Sequence, residues 1–264
     1  MTIARLFADL SARGEMAFAP YFVAGWPTLD RSLELIATAA AAGADLVEIG
    51  VPFSDPVADG ATIQRASHAA LQAGFRLSSL LDALRAAPLR RPGVLMSYLN
   101  PLLAVGRDRL LTALAAAQVR GLIVPDLPFE ESADWLGAAR AAGVALIYLV
   151  APTTAPERIA RMAEQTDGFL YAVSLTGTTG VRRELNPGLF DYLARVRGVA
   201  RCPVAVGFGI STPQQVAALR GRADGVIVGS RWVEAVERGE DVAGLLHAFK
   251  QSTRSENHAR GHER

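Results

Sequence analysis

A (β/α)8 (TIM) barrel with one additional N-terminal helix is the fold this 264-residue sequence predicts, and three observations carry it. Eight short apolar runs recur along the chain, each followed by a stretch of helical periodicity. Their spacing averages about 33 residues, the size of a strand, a helix and two loops. Most of the runs are continuously apolar, as in a parallel sheet covered by helices, rather than alternating. Strands that alternate with helices also suit an open doubly wound sheet. Eight similar units with no long linker favour closure into a barrel.

The elements follow in order. Residues 3–13 read as an amphipathic helix placed to cover the bottom of the barrel, and Asp9 and Glu15 distinguish this segment from a secretory signal. Strands are expected at 20–25, 45–50, 93–98, 121–125, 144–150, 168–174, 203–208 and 225–229. Gly43, Gly143 and Gly221 stand just before three of them, where a left-handed residue ends the preceding helix. A tail over 252–264 lacks apolar periodicity and is expected to fray, which leaves 1–251 as a single domain.

Composition narrows the function. Half of the residues are hydrophobic and the mean hydropathy is +0.22, which excludes a disordered chain. A net charge of +1 argues against nucleic acid or an anionic membrane surface as the main partner. No run approaches the roughly 18 apolar residues of a membrane span. The single cysteine, Cys202, permits no internal disulfide and suits a reducing cytoplasm. Lys250 is the single lysine; the other basic residues are arginines.

Barrel active sites lie in the loops after the C-terminal strand ends, so the candidates come from there. Glu48 interrupts the apolar run Asp45-Leu46-Val47-Glu48-Ile49-Gly50 and points opposite Val47 and Ile49. It is either a buried structural carboxylate bonded to backbone or arginine, or a catalytic acid–base kept protonated by desolvation. Asp59, in a loop restricted by Pro52 and Pro56, reads equally as the cap of a helix starting near Ala61 or as a catalytic group. Glycine-bearing turns follow the last three strands at Gly177–Gly180, Gly207–Ser211 and Gly229–Ser230, where backbone amides and helix dipoles make a phosphate site without lysine. Tyr171 either projects into the mouth or packs in the core. Cys202 reads as structural and His68 as a surface residue. No Cys/His cluster has metal-ligand spacing.

The run Leu46-Val47-Glu48-Ile49-Gly50-Val51-Pro52-Phe53-Ser54-Asp55-Pro56, continued by Ala58-Asp59-Gly60, closely resembles the signature of the tryptophan synthase alpha chain family. Pro20-Tyr21, Gly25-Trp26-Pro27, Met96-Ser97-Tyr98-Leu99-Asn100-Pro101, Val124-Pro125-Asp126-Leu127-Pro128 and Gly207-Phe208-Gly209-Ile210-Ser211 extend the resemblance over nearly the whole chain except the tail. It implies a cofactor-free lyase that cleaves indole-3-glycerol phosphate to indole and glyceraldehyde 3-phosphate. It also implies an α2β2 complex with a pyridoxal-phosphate-dependent beta chain; a stand-alone lyase releasing free indole is the alternative. By the same resemblance Glu48, Asp59 and Tyr171 are catalytic, and Thr179, Gly180, Phe208, Gly209, Gly229 and Ser230 enclose the phosphate. Tyr21, Leu95 and Ile123 would wall the indole pocket. Leu175, Thr178 and the pair Arg231-Trp232 depart from the family pattern, and Arg231 raises the question of a charge beside the phosphate.

For such a retro-aldol cleavage the sequence offers neither a mouth lysine for a Schiff base nor a metal-ligand set, so the substrate must accept the electrons. Protonation of indole C3 makes the ring that sink. The expectation is that Glu48 delivers the proton and Asp59 accepts a hydrogen bond from the indole N–H. Loops 52–60 and 175–183 are expected to move.

Overall fold

The computed structural model describes residues 1–174, 185, 188–207 and 209–254. Nine parallel strands are found among them: β1 (Ala17–Val23), β2 (Val47–Gly50), β3 (Gly93–Met96), β4 (Val119–Ile123), β5 (Ala145–Ile147), β6 (Leu149–Val150), β7 (Leu170–Val173), β8 (Val204–Gly207) and β9 (Gly225–Val228). Helices α1 (Ile3–Ala12), α2 (Leu29–Ala41), α3 (Ala61–Gln72), α4 (Leu77–Ala86), α5 (Leu99–Val105) and α6 (Arg107–Ala116) cover the first half. The second half carries α7 (Ala133–Ala141), α8 (Pro156–Gln165), α9 (Gly188–Val199), α10 (Pro213–Ala218), α11 (Ser230–Glu237) and α12 (Val242–Gln251).

The strand order is β5-β4-β3-β2-β1-β9-β8-β7-β6. Its two ends, β5 and β6, are halves of one staff separated by Tyr148. Ile147 pairs with Ile123 on one side and Leu149 with Tyr171 on the other, so the staff changes neighbours at Tyr148 and the ring is complete. Eight apolar runs therefore give nine strand segments of an eight-staved barrel. The first strand starts at Ala17, earlier than its apolar run suggests, because Ala17 N–H donates to Asp224 O (2.9 Å) and pairs it with β9. Gly43, Gly143 and Gly221 have φ of +98°, +70° and +74°, the left-handed caps expected of them.

Side-chain alternation sorts the apolar residues into two cores. Phe18, Val47, Ile49, Leu122 and Val226 pack outward under the helices. Ala19, Tyr21, Val94, Met96, Ile123 and Ile227 fill the barrel interior. Helix α1 closes the bottom. Thr2 caps it by accepting from Arg5 N–H, and Ile3, Leu6, Phe7 and Leu10 are buried. Gly121 and Gly225 make room for this plug: an added Cβ would lie 2.8 Å from Ile3 Cδ1 and 3.0 Å from Phe7 Cε1, respectively.

An ion cluster fastens the same end. Lys250 Nζ, buried in α12, donates to both oxygens of Asp45 (3.0 and 2.9 Å) and to Glu15 Oε2 (3.0 Å). Asp45 Oδ2 also accepts from Phe18 N–H (2.9 Å). Asp45 precedes β2, so the single lysine sits at the N-terminal strand ends, opposite the mouth. The chain beyond it does not fray at 252. Thr253 is fully buried, its carbonyl accepts from Met16 N–H (3.1 Å), and Arg254 bridges to Glu15. The expected tail boundary is thus corrected by three residues, because backbone pairing rather than apolar periodicity holds 252–254. Residues 255–264 lie outside the described set.

Removing one partner of a buried ion cluster strands the other charges, at a cost of roughly 3–5 kcal/mol. Lys250→Ala is therefore expected to lower unfolding free energy by about that amount in urea titrations. A loss below about 1 kcal/mol, as for a surface pair, would contradict the account.

Candidate active site

Glu48 reaches the barrel interior because Val47 and Ile49, its strand neighbours, pack outward against the helices. It lies level with Tyr21 of β1 and Val94 of β3. The side chain is 2% exposed, and Oε1 is buried with no hydrogen-bond partner among the described residues. Among these residues that oxygen has no backbone or arginine contact of the kind a purely structural carboxylate would need. Burial, and then the neighbouring Asp59 charge, push the Glu48 carboxyl up to about 8.

Asp59 does not cap the helix it precedes. Gly60 is the N-cap residue of α3, with no side-chain cap hydrogen bond. The backbone of Asp59 is fixed locally: its N–H donates to Pro56 O (3.1 Å) and its carbonyl accepts from Gln64 Nε2 (2.9 Å). Burial pushes its carboxyl up to about 6. The negative charge of Asp59 acts on Glu48, Tyr21, Tyr98 and Tyr171, which gathers these groups around one mouth.

Two tyrosines climb toward that mouth across glycines of neighbouring strands. A Cβ on Gly50 would lie 1.9 Å from Tyr21 Oη, and one on Gly207 would lie 2.2 Å from Tyr171 Oη. Real side chains do not approach so closely, so each phenol requires the glycine beneath it. Tyr21 also borders Gly229, where a Cβ would stand 3.3 Å from its Cδ1. Strand β2 and the last glycine turn therefore share one aromatic wall. Burial, and then the nearby carboxylates, raise both phenols well above their ordinary acidity range and keep them protonated.

Ile123 lies on the inner face, as the sequence reading expected; Leu95 does not. Leu95 pairs level with Ile49, on the outer face under the helices, whereas Val94 pairs with Glu48 inside. The inward positions of β3 are Val94 and Met96. Sequence reasoning missed Met96 as an inward-facing residue, together with Tyr98 and the cradle glycines Gly50 and Gly207. The one available signal was register: counting in twos from Glu48 across the paired strands selects Met96.

The glycine turns divide. Thr179, Gly180 and Phe208 lie outside the described residues, as do Leu175 and Thr178. Gly209 is left-handed, with φ +75°. The N-terminus of α10 is satisfied from within: Gln215 Oε1 accepts from Ser211 N–H (2.7 Å) and Thr212 N–H (3.1 Å). The start of α11 at Gly229–Ser230 carries no such side-chain cap. Arg231 does not supplement it, because its guanidinium grips Glu240 (2.5 and 3.3 Å). Trp232 is 1% exposed, donates to Val228 O (2.7 Å) and packs on Phe18 and Phe249. His68 is exposed, and burial holds the Cys202 thiol up at about 11, so it stays an unreactive thiol.

Comparison with known proteins gives a consistent result. The family described as tryptophan synthase alpha chain matches residues 7–260. The tryptophan synthase alpha chain of Roseiflexus sp. (strain RS-1) is 49% identical over 247 residues, 91% of this chain and 95% of the relative. That of Carboxydothermus hydrogenoformans is 47% identical over 237 residues, 89% of each. Among solved structures, a chain of Mycobacterium tuberculosis tryptophan synthase superposes with a TM-score of 0.88 at 37% identity, covering 96% of this chain and 98% of that one. Tryptophan synthase subunit alpha from Legionella pneumophila gives 0.85 at 33% identity, covering 96% and 98%.

The buried carboxyl has a thermodynamic signature. Between about 4.5, its ordinary value, and about 8, folded Glu48 keeps a proton that the unfolded chain has released. Folding stability contributed by this group is therefore present below 4.5 and lost as pH rises through 8. Glu48→Gln should match the wild type in melting temperature near pH 4 and exceed it increasingly up to pH 8. A difference that stays constant with pH would contradict the burial argument.

Proposed function

The chain belongs to the tryptophan synthase alpha chain family of lyases, and on that premise we propose a chemical role for each group at the mouth. The reaction is cleavage of indole-3-glycerol phosphate to indole and glyceraldehyde 3-phosphate. Protonated Glu48 delivers its proton to indole C3, which turns the ring into an iminium-like acceptor. Asp59, ionised, accepts the indole N–H and stabilises the positive charge that develops there. Glu48, now ionised, takes the proton from the hydroxyl on the carbon attached to C3. The carbon–carbon bond breaks, its electrons restore the indole ring, and the hydroxyl carbon becomes the aldehyde. Glu48 ends as it began.

The observation that carries this reading is the buried, unpartnered Oε1 of Glu48 within the field of Asp59. An acid left unsatisfied inside a barrel is costly, and a substrate proton acceptor supplies what it lacks. A Schiff-base route through Lys250 is remote, since that side chain is locked at the opposite end. Tyr171 stands beside Glu48 as a neutral hydrogen-bond donor that can assist proton transfer from the substrate hydroxyl. Tyr21, Met96 and Ile123 wall the indole. Gly209, Gly229 and Ser230, with Thr179, Gly180 and Phe208 assigned by family resemblance, hold the phosphate.

An alpha chain of tryptophan synthase has a beta-chain partner. In this proposal a pyridoxal-phosphate-dependent beta chain forms an α2β2 complex and covers the mouth rim. There Val57 of loop 52–60 is 85% exposed and Leu103 of α5 is 54% exposed, unusual for apolar side chains. No described helix is long and apolar enough to cross a membrane, and the site of action proposed is the cytoplasm.

Indole release from indole-3-glycerol phosphate, with and without beta chain, tests the scheme. Glu48→Gln is expected to lose about 10²–10⁴-fold in kcat while still folding. Retention of more than roughly a tenth of the rate overturns the role. Asp59→Asn is expected to be comparably severe, and wild-type turnover there removes Asp59 from the chemistry. Turnover should peak between about pH 6 and 8, where Asp59 is ionised and Glu48 still protonated. A rate that climbs steadily beyond pH 9 contradicts the assignment of Glu48 as the acid.

A further inference from the structure

Loop 52–60 carries Asp59, yet little of the barrel holds it. Pro52 and Pro56 have no N–H, Ser54, Asp55 and Val57 are exposed, and Val57 N–H and Asp59 N–H donate to carbonyls of the loop itself. Among the described residues, side-chain hydrogen bonds to its backbone come from Gln64 and Tyr98 alone. Gln64 belongs to α3, the helix into which the loop itself runs. Tyr98 belongs to another stave, just after β3. Its ring stacks on Phe53 (centroids 5.0 Å, 27°), and its Oη accepts from Ala58 N–H (2.9 Å), one residue before Asp59.

Tyr98 is itself anchored on both sides. Ser97 N–H donates to Ile123 O (3.0 Å), and Leu99 N–H donates to Asp126 Oδ1 (2.8 Å). The end of β4 and the Asp126 side chain in the loop after it thus fix the tyrosine, and the tyrosine reaches across to both ends of the loop after β2. Resting on the reading of Asp59 as the indole N–H acceptor, we propose that Tyr98 is a positioning residue. It clamps loop 52–60 so that the Asp59 carboxylate stays over the mouth. Burial and Asp59 push the phenol up to about 12, so it remains a neutral anchor across the working pH range.

Tyr98→Phe tests this directly, because it keeps the stacked ring and removes only the acceptor for Ala58 N–H. Hydrogen–deuterium exchange is expected to quicken about tenfold in peptides spanning 51–60, with peptides of α1 and α12 unchanged, as for loss of one ordinary hydrogen bond. In indole release kcat is expected to fall roughly tenfold with KM within about twofold of wild type. Tyr98→Ala also deletes the stack and is expected to raise KM as well. A general structural role would lower the melting temperature of Tyr98→Phe and move KM with kcat; that pattern overturns the proposal. So does loop exchange, or kcat, within twofold of wild type. Wild-type turnover of Asp59→Asn alongside a loosened loop in Tyr98→Phe would separate the two ideas: the role of Asp59 then fails while the clamp stands.

Discussion

A carboxyl group shut inside a barrel with one oxygen unsatisfied is the constraint on which the rest of this structure depends. Ionising Glu48 in that position is costly, since among the described residues neither an arginine nor a backbone donor meets Oε1. Relieving the cost by sliding β2 one residue would bring Val47 and Ile49 inside and send the charge among the helices. The outer core of Phe18, Leu122 and Val226 forbids that slip. The barrel therefore keeps an acid protonated near neutral pH by burying it, with the charge of Asp59 adding to the effect.

The two ends of β2 show opposite treatments of the same chemical group. Asp45, three positions before Glu48, is completely paired with Lys250 and Phe18 N–H. Stability concentrates at that end, where α1, α12 and the 252–254 segment converge. The other end gathers acidic groups whose ionisation burial and one another's charge oppose: Glu48, Asp59 and the phenols of Tyr21 and Tyr171. Glycines at 50, 207 and 229 leave space there for tyrosine rings rather than for backbone packing. A firm base and a strained mouth are what a barrel enzyme requires.

Much of this was legible in the sequence, for identifiable reasons. Recurring apolar runs and the caps at Gly43, Gly143 and Gly221 are local signals, and the fold followed from them. Glu48 was visible because an acid in an apolar strand violates its surroundings. Leu95 was misplaced because Gly93-Val94-Leu95-Met96 is apolar throughout, so nothing in it distinguishes inside from outside; only pairing with Glu48 does. Asp59 could not be told from a helix cap until Gly60 was seen in that position. Arg231 looked available to a phosphate because Glu240, which holds it, lies nine residues on. Asp45 and Lys250 are 205 residues apart, beyond any local pattern.

The protonation state of one side chain decides the account. Infrared titration of the wild type against Glu48→Gln isolates the carboxyl band of Glu48. The structure requires a protonated carboxyl stretch at pH 7 that disappears with a midpoint near 8. A band already lost by pH 5, as for a solvated glutamate, would show that the barrel does not hold the proton and would remove the acid from the proposed chemistry.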